Sequence, residues 1–160
     1  MIRLVVTDCD GVLTSDRKTY TESGELHKQF SGRDTTVVRK LESLGVSVVV
    51  LSGDDRVNAK FCEMHRIPFV KSVYNKDIAL MRIISDHAVE PEETLFIGDD
   101  LPDIAAGRWL KSVGGRFFCP VDAAMEVQTE ATALAAAGGR GVLSVLYADY
   151  KVLFTGGSRK

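Results

Sequence analysis

Short apolar runs alternate along the chain with longer segments that carry helix signals. The runs are Leu4 to Thr7, Val46 to Leu51, Phe69 to Val70, Thr94 to Ile97 and Val113 to Phe118. Strands that are buried on both faces of a parallel sheet read as continuous stretches of Val, Ile and Leu, with helices in the connections between them. The alternation therefore predicts an α/β fold, a doubly wound parallel sheet with helices on both faces.

Helix signals fill the connections between these runs. The predicted helices extend from Asp34 to near Gly45, from Asp55 to near His65, and from Asn75 to about His87. Asp and Asn are favoured at helix N-termini because their side chains accept hydrogen bonds from free backbone N–H groups. Val142 to Phe154 is apolar at helical spacing. We expect one domain over residues 1–154 and a polar tail over residues 155–160.

One segment breaks this alternation after the first run. Lys18 to Tyr20 and Leu26 to Phe30 have strand-like composition, and the turn-forming residues Glu22 to Glu25 lie between them. The segment predicts a small β-hairpin insertion after strand 1.

Composition and charge exclude several classes of protein. The 160 residues are 45% apolar and 26% charged, which is usual for one globular domain. The net charge of -2 provides no basic field for the phosphates of nucleic acids, so we expect no nucleic-acid partner. No apolar run approaches the roughly 20 residues that cross a bilayer, and the N-terminus lacks a secretory signal pattern. We expect no membrane association and a cytoplasmic location.

The three cysteines carry no recognisable chemistry. Cys9, Cys62 and Cys119 are widely spaced and form no CxxC pair, which fits neither a disulfide framework nor a zinc site. We expect them to be buried as small apolar side chains.

Polar residues follow the apolar runs at the points where the strands should end. They are Asp8, Asp10 and Gly11 after the first run, Ser52 and Gly53 after the second, and Gly98, Asp99, Asp100 and Asp103 after the fourth. Ligands of open parallel sheets bind outside the carboxyl ends of the strands, so these residues should converge there, together with Lys76 at the start of a helix. A single Asp after a strand is more often a turn or cap residue. Turn formation does not, however, require two acidic clusters.

The chemistry of this set indicates a metal-assisted reaction at phosphorus. Crowded carboxylates resist ionisation unless a cation compensates them, and oxygen ligands favour a hard ion such as Mg²⁺. A carboxylate can attack a phosphoryl group to form an aspartyl-phosphate, while Ser, Lys and backbone N–H groups bind the other phosphoryl oxygens.

These residues resemble the four motifs of the haloacid dehalogenase superfamily. The motifs correspond to Asp8-Cys-Asp-Gly-Val-Leu-Thr14, Ser52-Gly53, Lys76 and Gly98-Asp-Asp-Leu-Pro-Asp103. The resemblance implies a Rossmann-like fold and a Mg²⁺-dependent phosphatase. It also implies a role for each residue. Asp8 would be the nucleophile and a metal ligand, and Asp10 the general acid and base, with its backbone carbonyl on the metal. Asp99 would be the third protein ligand of the metal, Asp100 would support the metal shell, and Asp103 would orient Lys76. The residues that would bind phosphate are Gly11, Ser52, Gly53 and Lys76.

Further segments resemble one group within this superfamily, the 3-deoxy-D-manno-octulosonate 8-phosphate phosphatases. They are Phe30 to Asp34, Pro120 to Ala123 and Gly138 to Val142. The connections between Gly11 and Ser52 and between Gly53 and Lys76 leave no room for a cap domain. The resemblance implies a homotetramer, built through the hairpin, in which neighbouring subunits complete the active sites.

The substrate implied by this resemblance is a phosphorylated 2-keto-3-deoxy sugar acid, with a role in lipopolysaccharide or sialic acid biosynthesis. Arg33 and Arg140 are candidates for contacting its carboxylate, or else they form surface ion pairs. The eight-carbon group usually has Arg at the position of Asp54, whereas a related branch that acts on nine-carbon 9-phosphates has Glu. Asp54 therefore favours the nine-carbon class, unless it caps the following helix.

Three other functions use similar residues. A receiver domain of a signalling protein needs a phosphorylated Asp at the end of its middle strand, where this chain has Ser52. A phosphomutase normally needs a cap to hold its intermediate away from water. A non-catalytic homologue with an assembly role, as in domains fused to sugar-activating synthetases, is the remaining alternative, although every motif position is filled.

Overall fold

A six-stranded parallel sheet forms the centre of the protein in a computed structural model, which describes residues 1–156. The strands are β1 (Leu4–Thr7), β2 (Thr19–Tyr20), β3 (Leu26–His27), β4 (Ser47–Ser52), β5 (Phe69–Lys71), β6 (Thr94–Ile97), β7 (Arg116–Pro120) and β8 (Thr132–Leu134). The order in the large sheet is β5-β4-β1-β6-β7-β8, and β2 and β3 form a separate antiparallel pair. Residues 157–160 of the predicted tail lie outside the described residues.

Helices cover both faces of the sheet. They are α1 (Gly32–Ser43), α2 (Val57–His65), α3 (Lys76–Asp86), α4 (Ile104–Ser112), α5 (Met125–Glu130), α6 (Val142–Asp149) and α7 (Val152–Thr155), with 3₁₀ turns at Pro91–Glu93 and Leu101–Asp103. Val5 packs in the core that α1, α2, α6 and α7 cover, whereas Leu4 and Val6 pack in the core beneath α3, α4 and α5. The prediction of a doubly wound sheet without a cap domain is confirmed. No helix within residues 1–156 has the length and apolar character that a membrane crossing requires.

The register of the central strands brings their carboxyl ends to the same edge of the sheet. Thr7, the last residue of β1, lies opposite Val50 of β4 and Ile97 of β6. All four β1 residues are buried, as the unbroken apolar run predicted. The residues that follow β1, β4 and β6 therefore meet at one edge of the sheet.

The predicted hairpin is present but its paired arms are shorter than expected. Thr19 lies opposite His27 and Tyr20 opposite Leu26. The pairing ends before Lys28, and only 1% of the Lys28 side chain is exposed.

Three regions differ from the sequence prediction. Strand β7 begins at Arg116 rather than Val113, because residues 113–115 close α4, with Gly115 N–H donating to the carbonyl of Leu110. The short elements α5 and β8 were not predicted. Helical structure over Val142 to Phe154 is confirmed, as two helices that break after Asp149. All three cysteines are buried, as predicted.

The predictions of helix caps were only partly correct. Asn75 does occupy the N-cap position of α3, without a side-chain hydrogen bond to its own helix. Asp55 does not cap α2, because the helix begins after Arg56 and the Asp55 carboxylate instead pairs with Lys71 at 2.7 Å.

Asp34 does not cap its own helix either, because the N-cap of α1 is Ser31. Its buried Oδ1 atom instead accepts a hydrogen bond of 3.1 Å from the backbone N–H of Ser144 in α6. Its Oδ2 atom has no hydrogen-bond partner among the described residues. Burial raises the pKa of Asp34 to about 6, against the opposing effect of the N–H groups at the start of α6. This carboxyl joins the two helices that cover one face of the sheet.

We predict that Asp34→Asn changes the pH dependence of stability. An acid whose pKa is raised by folding destabilises the native state as pH rises through the two pKa values. Between pH 4.5 and 7.5, the free energy of unfolding of the wild type should therefore fall by roughly 1–2 kcal/mol relative to that of the variant. Urea denaturation at both pH values measures this difference. If the wild type and Asp34→Asn differ in free energy of unfolding by the same amount at both pH values, the prediction is contradicted. Asp86→Asn, at an exposed position, is the matched control.

Candidate active site

A cavity of about 540 Å³ opens at the carboxyl edge of the sheet. Its lining includes Asp8, Asp10, Ser52, Gly53, Asp54, Lys76, Asp99 and Asp100. These residues come from the ends of three strands and the start of α3. The structure thus brings most of the predicted site residues to one place, with Gly11 and Asp103 directly behind them.

Lys76 forms two short ion pairs beneath the cavity. Its Nζ atom lies 2.6 Å from Asp8 Oδ2 and 2.6 Å from Asp103 Oδ1. Burial disfavours the charged ammonium, but the two carboxylates outweigh this effect and raise the pKa of Lys76. Asp8 is further held by the backbone N–H of Cys9, which donates to Asp8 Oδ1 at 2.6 Å. The arrangement fixes the Asp8 carboxylate at the end of β1.

The second oxygen of Asp103 is also occupied. Asp103 Oδ2 accepts hydrogen bonds from the backbone N–H groups of Asp99 at 2.9 Å and Asp100 at 3.2 Å. Both oxygens of this fully buried carboxylate therefore serve the protein itself. These contacts hold the Asp103 carboxylate in place and support an orienting role for it.

The surroundings of Asp99 favour a bound cation. Its buried Oδ1 atom has no hydrogen-bond partner within residues 1–156. Burial, followed by the charges of Asp8, Asp103 and Asp100, raises the pKa of Asp99 to about 8. Burial and the charge of Asp103 likewise raise the pKa of Asp8.

The spacing of these carboxylates suits a shared metal ion. One carboxylate oxygen from each of Asp8, Asp99 and Asp103 can be chosen so that the three atoms lie within 4.8 Å of one another. Carboxylate oxygens are ligands of hard divalent cations, and such a cation would favour the ionised forms that burial opposes. The residues present therefore fit a divalent metal.

Because Gly11 has no side chain, the Asp99 carboxylate can lie directly against it. A Cβ atom on Gly11 would lie 1.7 Å from Asp99 Oδ2, and the φ angle of Gly11 is +79°. Both the close approach and the left-handed backbone require glycine at this position.

Ser52 and Asp10 are linked by a residue that the sequence did not reveal. The Nδ2 group of Asn58, which is fully buried in α2, lies 3.2 Å from Ser52 Oγ and 3.2 Å from Asp10 Oδ2. Asn58 Oδ1 accepts a hydrogen bond of 2.8 Å from Lys28 Nζ. No motif marks Asn58, because a single Asn inside a helix carries no distinctive pattern.

Lys28 is the second functional residue that sequence analysis missed. Its Nζ atom lies 2.7 Å from Asp10 Oδ1 and 2.9 Å from Asp54 Oδ2. Hydrogen bonds and charges from these two carboxylates overcome the opposing effect of burial and raise the pKa of Lys28. A signal was available in the sequence, because the period-two alternation of a strand puts Lys28 on the same face of the second hairpin arm as the apolar Leu26 and Phe30.

The three tentative substrate-binding residues lie in different surroundings. Asp54 borders the cavity, but its Oδ1 atom accepts from Arg56 and its Oδ2 atom from Lys28. These contacts outweigh burial and hold the pKa of Asp54 well below its usual range. Arg140 lines a neighbouring cavity of about 910 Å³ rather than the first one. Arg33 is exposed and does not line the cavity at Asp8.

Comparisons with known proteins give consistent relatives. No protein-family model matches the chain. A curated 3-deoxy-D-manno-octulosonate 8-phosphate phosphatase of Haemophilus influenzae is 31% identical over 143 residues, which are 88% of this chain and 77% of that protein.

Solved structures agree with this sequence relationship. The cobalt-bound deoxy-D-mannose-octulosonate 8-phosphate phosphatase of H. influenzae has a TM-score of 0.85 and 30% identity, over 97% of this chain and 90% of that one. A Moraxella catarrhalis phosphatase in complex with magnesium, phosphate and the KDO sugar has the same fold, with a TM-score of 0.81 and 22% identity over 92% and 87% of the two chains.

We predict that a divalent cation stabilises the protein more strongly at pH 8 than at pH 5.5. Protons compete with the metal for carboxylates whose pKa values are raised, so acid should weaken binding. At pH 8, Mg²⁺ at about a hundredfold excess over its Kd should raise the Tm on the order of 5–10 °C, as measured by differential scanning fluorimetry. The increase should disappear in Asp99→Asn and persist in Asp149→Asn, at an exposed position. Equal increases at both pH values would contradict the model of the site.

Proposed function

The chain belongs to the haloacid dehalogenase superfamily, in the cap-less 3-deoxy-D-manno-octulosonate 8-phosphate phosphatase family, and is a phosphatase; from this membership we propose that it hydrolyses a phosphorylated 2-keto-3-deoxy sugar acid, using Mg²⁺ and an aspartyl-phosphate formed on Asp8. The observation that carries the proposal is the position of Asp8: its Oδ2 atom lies 2.6 Å from Lys76 Nζ, and one of its carboxylate oxygens lies within 4.8 Å of an oxygen of Asp99.

In the first half of the proposed reaction, Asp8 attacks phosphorus. A bond forms between an Asp8 carboxylate oxygen and phosphorus as the bond to the sugar oxygen breaks, and Asp10 donates a proton to the departing sugar oxygen. The hydrogen bond from Cys9 N–H and the ion pair with Lys76 support this role, because they fix the nucleophile in one orientation.

In the second half, Asp10 acts as a base. It removes a proton from the water that attacks the aspartyl-phosphate, the bond between Asp8 and phosphorus breaks, and inorganic phosphate leaves. Asp8 is then a free carboxylate again, and Asp10 has recovered the proton that it gave to the sugar oxygen. The reaction consumes one water and regenerates both side chains.

Asp8, Asp99 and the backbone carbonyl of Asp10 would hold Mg²⁺, with Asp100 supporting the metal shell and Asp103 orienting Lys76. When bound, the ion supplies positive charge that offsets the negative charge of the phosphoryl group and of the nucleophile. The raised pKa of Asp99 supports this assignment, because it indicates a buried acid that lacks a compensating cation.

Ser52, Lys76 and the backbone N–H groups of Gly11 and Gly53 would bind the phosphoryl oxygens. An ammonium carries three N–H groups, and the two ion pairs of Lys76 with Asp8 and Asp103 use two of them. The third N–H can serve a phosphoryl oxygen. This count supports a phosphate-binding role for Lys76.

We favour the eight-carbon 8-phosphate over the nine-carbon 9-phosphate as the first substrate to test. The preference for nine carbons depended on Asp54, and both Asp54 oxygens are engaged by Lys28 and Arg56. The named activity of the H. influenzae relative supports the eight-carbon acid. Arg140 and Arg33 stay candidates for the sugar carboxylate, although neither lines the cavity at Asp8.

A homotetramer in which neighbouring subunits complete the active sites remains part of the proposal. Exposed apolar residues close in sequence to residues that line the cavity support it: Tyr74 is 90% exposed, Ile78 61% and Leu101 55%. Exposed apolar surface of this kind is a feature of contact surfaces between proteins.

We predict strong selectivity in a panel of phosphate esters assayed for phosphate release with Mg²⁺. The panel contains the eight-carbon and nine-carbon 2-keto-3-deoxy acids and simple hexose phosphates. The kcat/KM for the preferred keto acid should exceed that for the hexose phosphates by roughly 100-fold or more, because polar groups that recognise the acid stay unpaired with a hexose. Similar kcat/KM values across the panel would rule out the sugar-acid assignment, and negligible turnover of every ester by folded protein would favour a non-catalytic homologue.

We predict that Asp8→Asn abolishes phosphate release while the protein stays folded. An amide lacks the negative charge of the nucleophile, and a loss of roughly 1,000-fold or more in kcat is expected. Lys76 retains its pair with Asp103, so circular dichroism and the Tm should change little. Asp86→Asn, far from the site on the exposed end of α3, is the control for loss of a carboxylate. Wild-type turnover by Asp8→Asn would exclude Asp8 as the nucleophile.

A further inference from the structure

The Lys28 ammonium is fully satisfied by groups of the protein. It has three N–H groups, and it has three acceptors: Asp10 Oδ1 at 2.7 Å, Asp54 Oδ2 at 2.9 Å and Asn58 Oδ1 at 2.8 Å. Only 1% of the side chain is exposed. Lys28 thus has no free donor with which to bind a substrate, in contrast to Lys76 with its two ion pairs.

The same network holds Asp10 through both carboxylate oxygens. Lys28 contacts Oδ1, where the hydroxyl of Thr14 also donates at 3.3 Å, and the Asn58 amide donates to Oδ2 at 3.2 Å. The orientation of the Asn58 amide is set by its partners, because its Oδ1 must face the Lys28 ammonium and its Nδ2 the Asp10 carboxylate. Lys28 and Asn58 therefore bind different oxygens of the Asp10 carboxylate and together fix its orientation.

We propose that Lys28, anchored by Asp54 and Asn58, is a positioning residue that fixes the Asp10 carboxylate for proton transfer. The inference rests on the proposed function, in which Asp10 exchanges a proton with the leaving group and with water. It assigns the hairpin a role within its own subunit, namely delivery of a buried cation to the general acid and base. It also assigns Asp54 to Lys28 rather than to the substrate.

Simple stabilisation of the fold is a weaker explanation of this network. A buried ion pair is poor evidence for stability, since the cost of desolvating the charges offsets much of their attraction. Placement at the reaction centre has a stronger effect, because a shift of about 1 Å in a reacting group can cost about 100-fold in rate. Without Lys28, Asp10 and Asp54 would also lose the cation that lies between them, and Asp10 Oδ1 would lose its shortest contact.

The first test compares two kinds of leaving group. A sugar alkoxide needs a proton as it departs, whereas p-nitrophenolate leaves without one. Lys28→Met should lower kcat/KM for the best sugar phosphate by roughly 10-fold to 100-fold and that for p-nitrophenyl phosphate by less than about threefold. A merely structural defect would lower both values by the same factor, and that result would overturn the inference.

The second test is a double-mutant cycle with Asp10→Asn. If Lys28 acts through Asp10, adding Lys28→Met to Asp10→Asn should cause no further loss of kcat/KM for either ester. A further loss equal to that of the single variant would show that Lys28 acts independently of Asp10 and would overturn the inference.

A charge-balanced variant keeps the test valid if Lys28→Met folds poorly. The double substitution Lys28→Met and Asp54→Asn removes one positive and one negative charge, so the buried network keeps its net charge. It should show the same selective loss with the sugar phosphate, while the Tm stays close to that of the wild type. Lys60→Met, at a position where the side chain is 67% exposed, is the matched control and should leave both kcat/KM values unchanged.

Failure of this inference is distinguishable from failure of the proposed function. If the wild type releases no phosphate from either ester, the proposed function fails. If the wild type hydrolyses both and Lys28→Met behaves like Lys60→Met, only the positioning role of Lys28 fails.

Discussion

Repulsion between carboxylates at one edge of the sheet is the constraint around which the site is organised. One carboxylate oxygen from each of Asp8, Asp99 and Asp103 lies within 4.8 Å of the others, and Asp10 lines the same cavity as Asp8 and Asp99. Such a group is unfavourable in a buried position unless positive charge reaches it. The protein supplies two buried ammonium groups, Lys76 and Lys28, whereas Asp99 Oδ1 has no hydrogen-bond partner within residues 1–156. Each lysine is thus explained by the acid that it neutralises.

The fold solves this problem by bringing the two signs of charge from different elements. Carboxylates follow β1 and β6, because a parallel sheet aligns the carboxyl ends of neighbouring strands. The cations come from the start of α3 and from the second arm of the hairpin. The hairpin, for which the sequence predicted a role in assembly, therefore also brings a buried ammonium to the acidic residues of its own chain. Because residues 1–156 contain no cap domain, the cavity above these charged side chains stays open.

The sequence predicted the parts of this arrangement that depend on local pattern. Strands β1 and β6 have the predicted bounds, because a strand buried on both faces must be continuously apolar, and the acids that follow them could be placed at the edge of the sheet by topology alone. Lys28, Asn58 and the contact of Asp34 with α6 were not predicted, because each depends on a partner 26 to 110 positions away. The short strand β8 was missed because three residues carry too little pattern to be distinguished from a loop.

The central position of β1 has a consequence for synthesis on the ribosome. Strand β1 precedes both of its neighbours in the chain, and one neighbour, β6, begins only at Thr94. Translation adds roughly 5–20 residues per second, so the first apolar strand waits for seconds with an open edge that other chains can pair with. Asp99 follows β6 directly. Pairing of β6 with β1 therefore closes that edge and brings Asp99 next to Asp8 in the same step, so the acidic cluster is complete only when the open edge of β1 is protected.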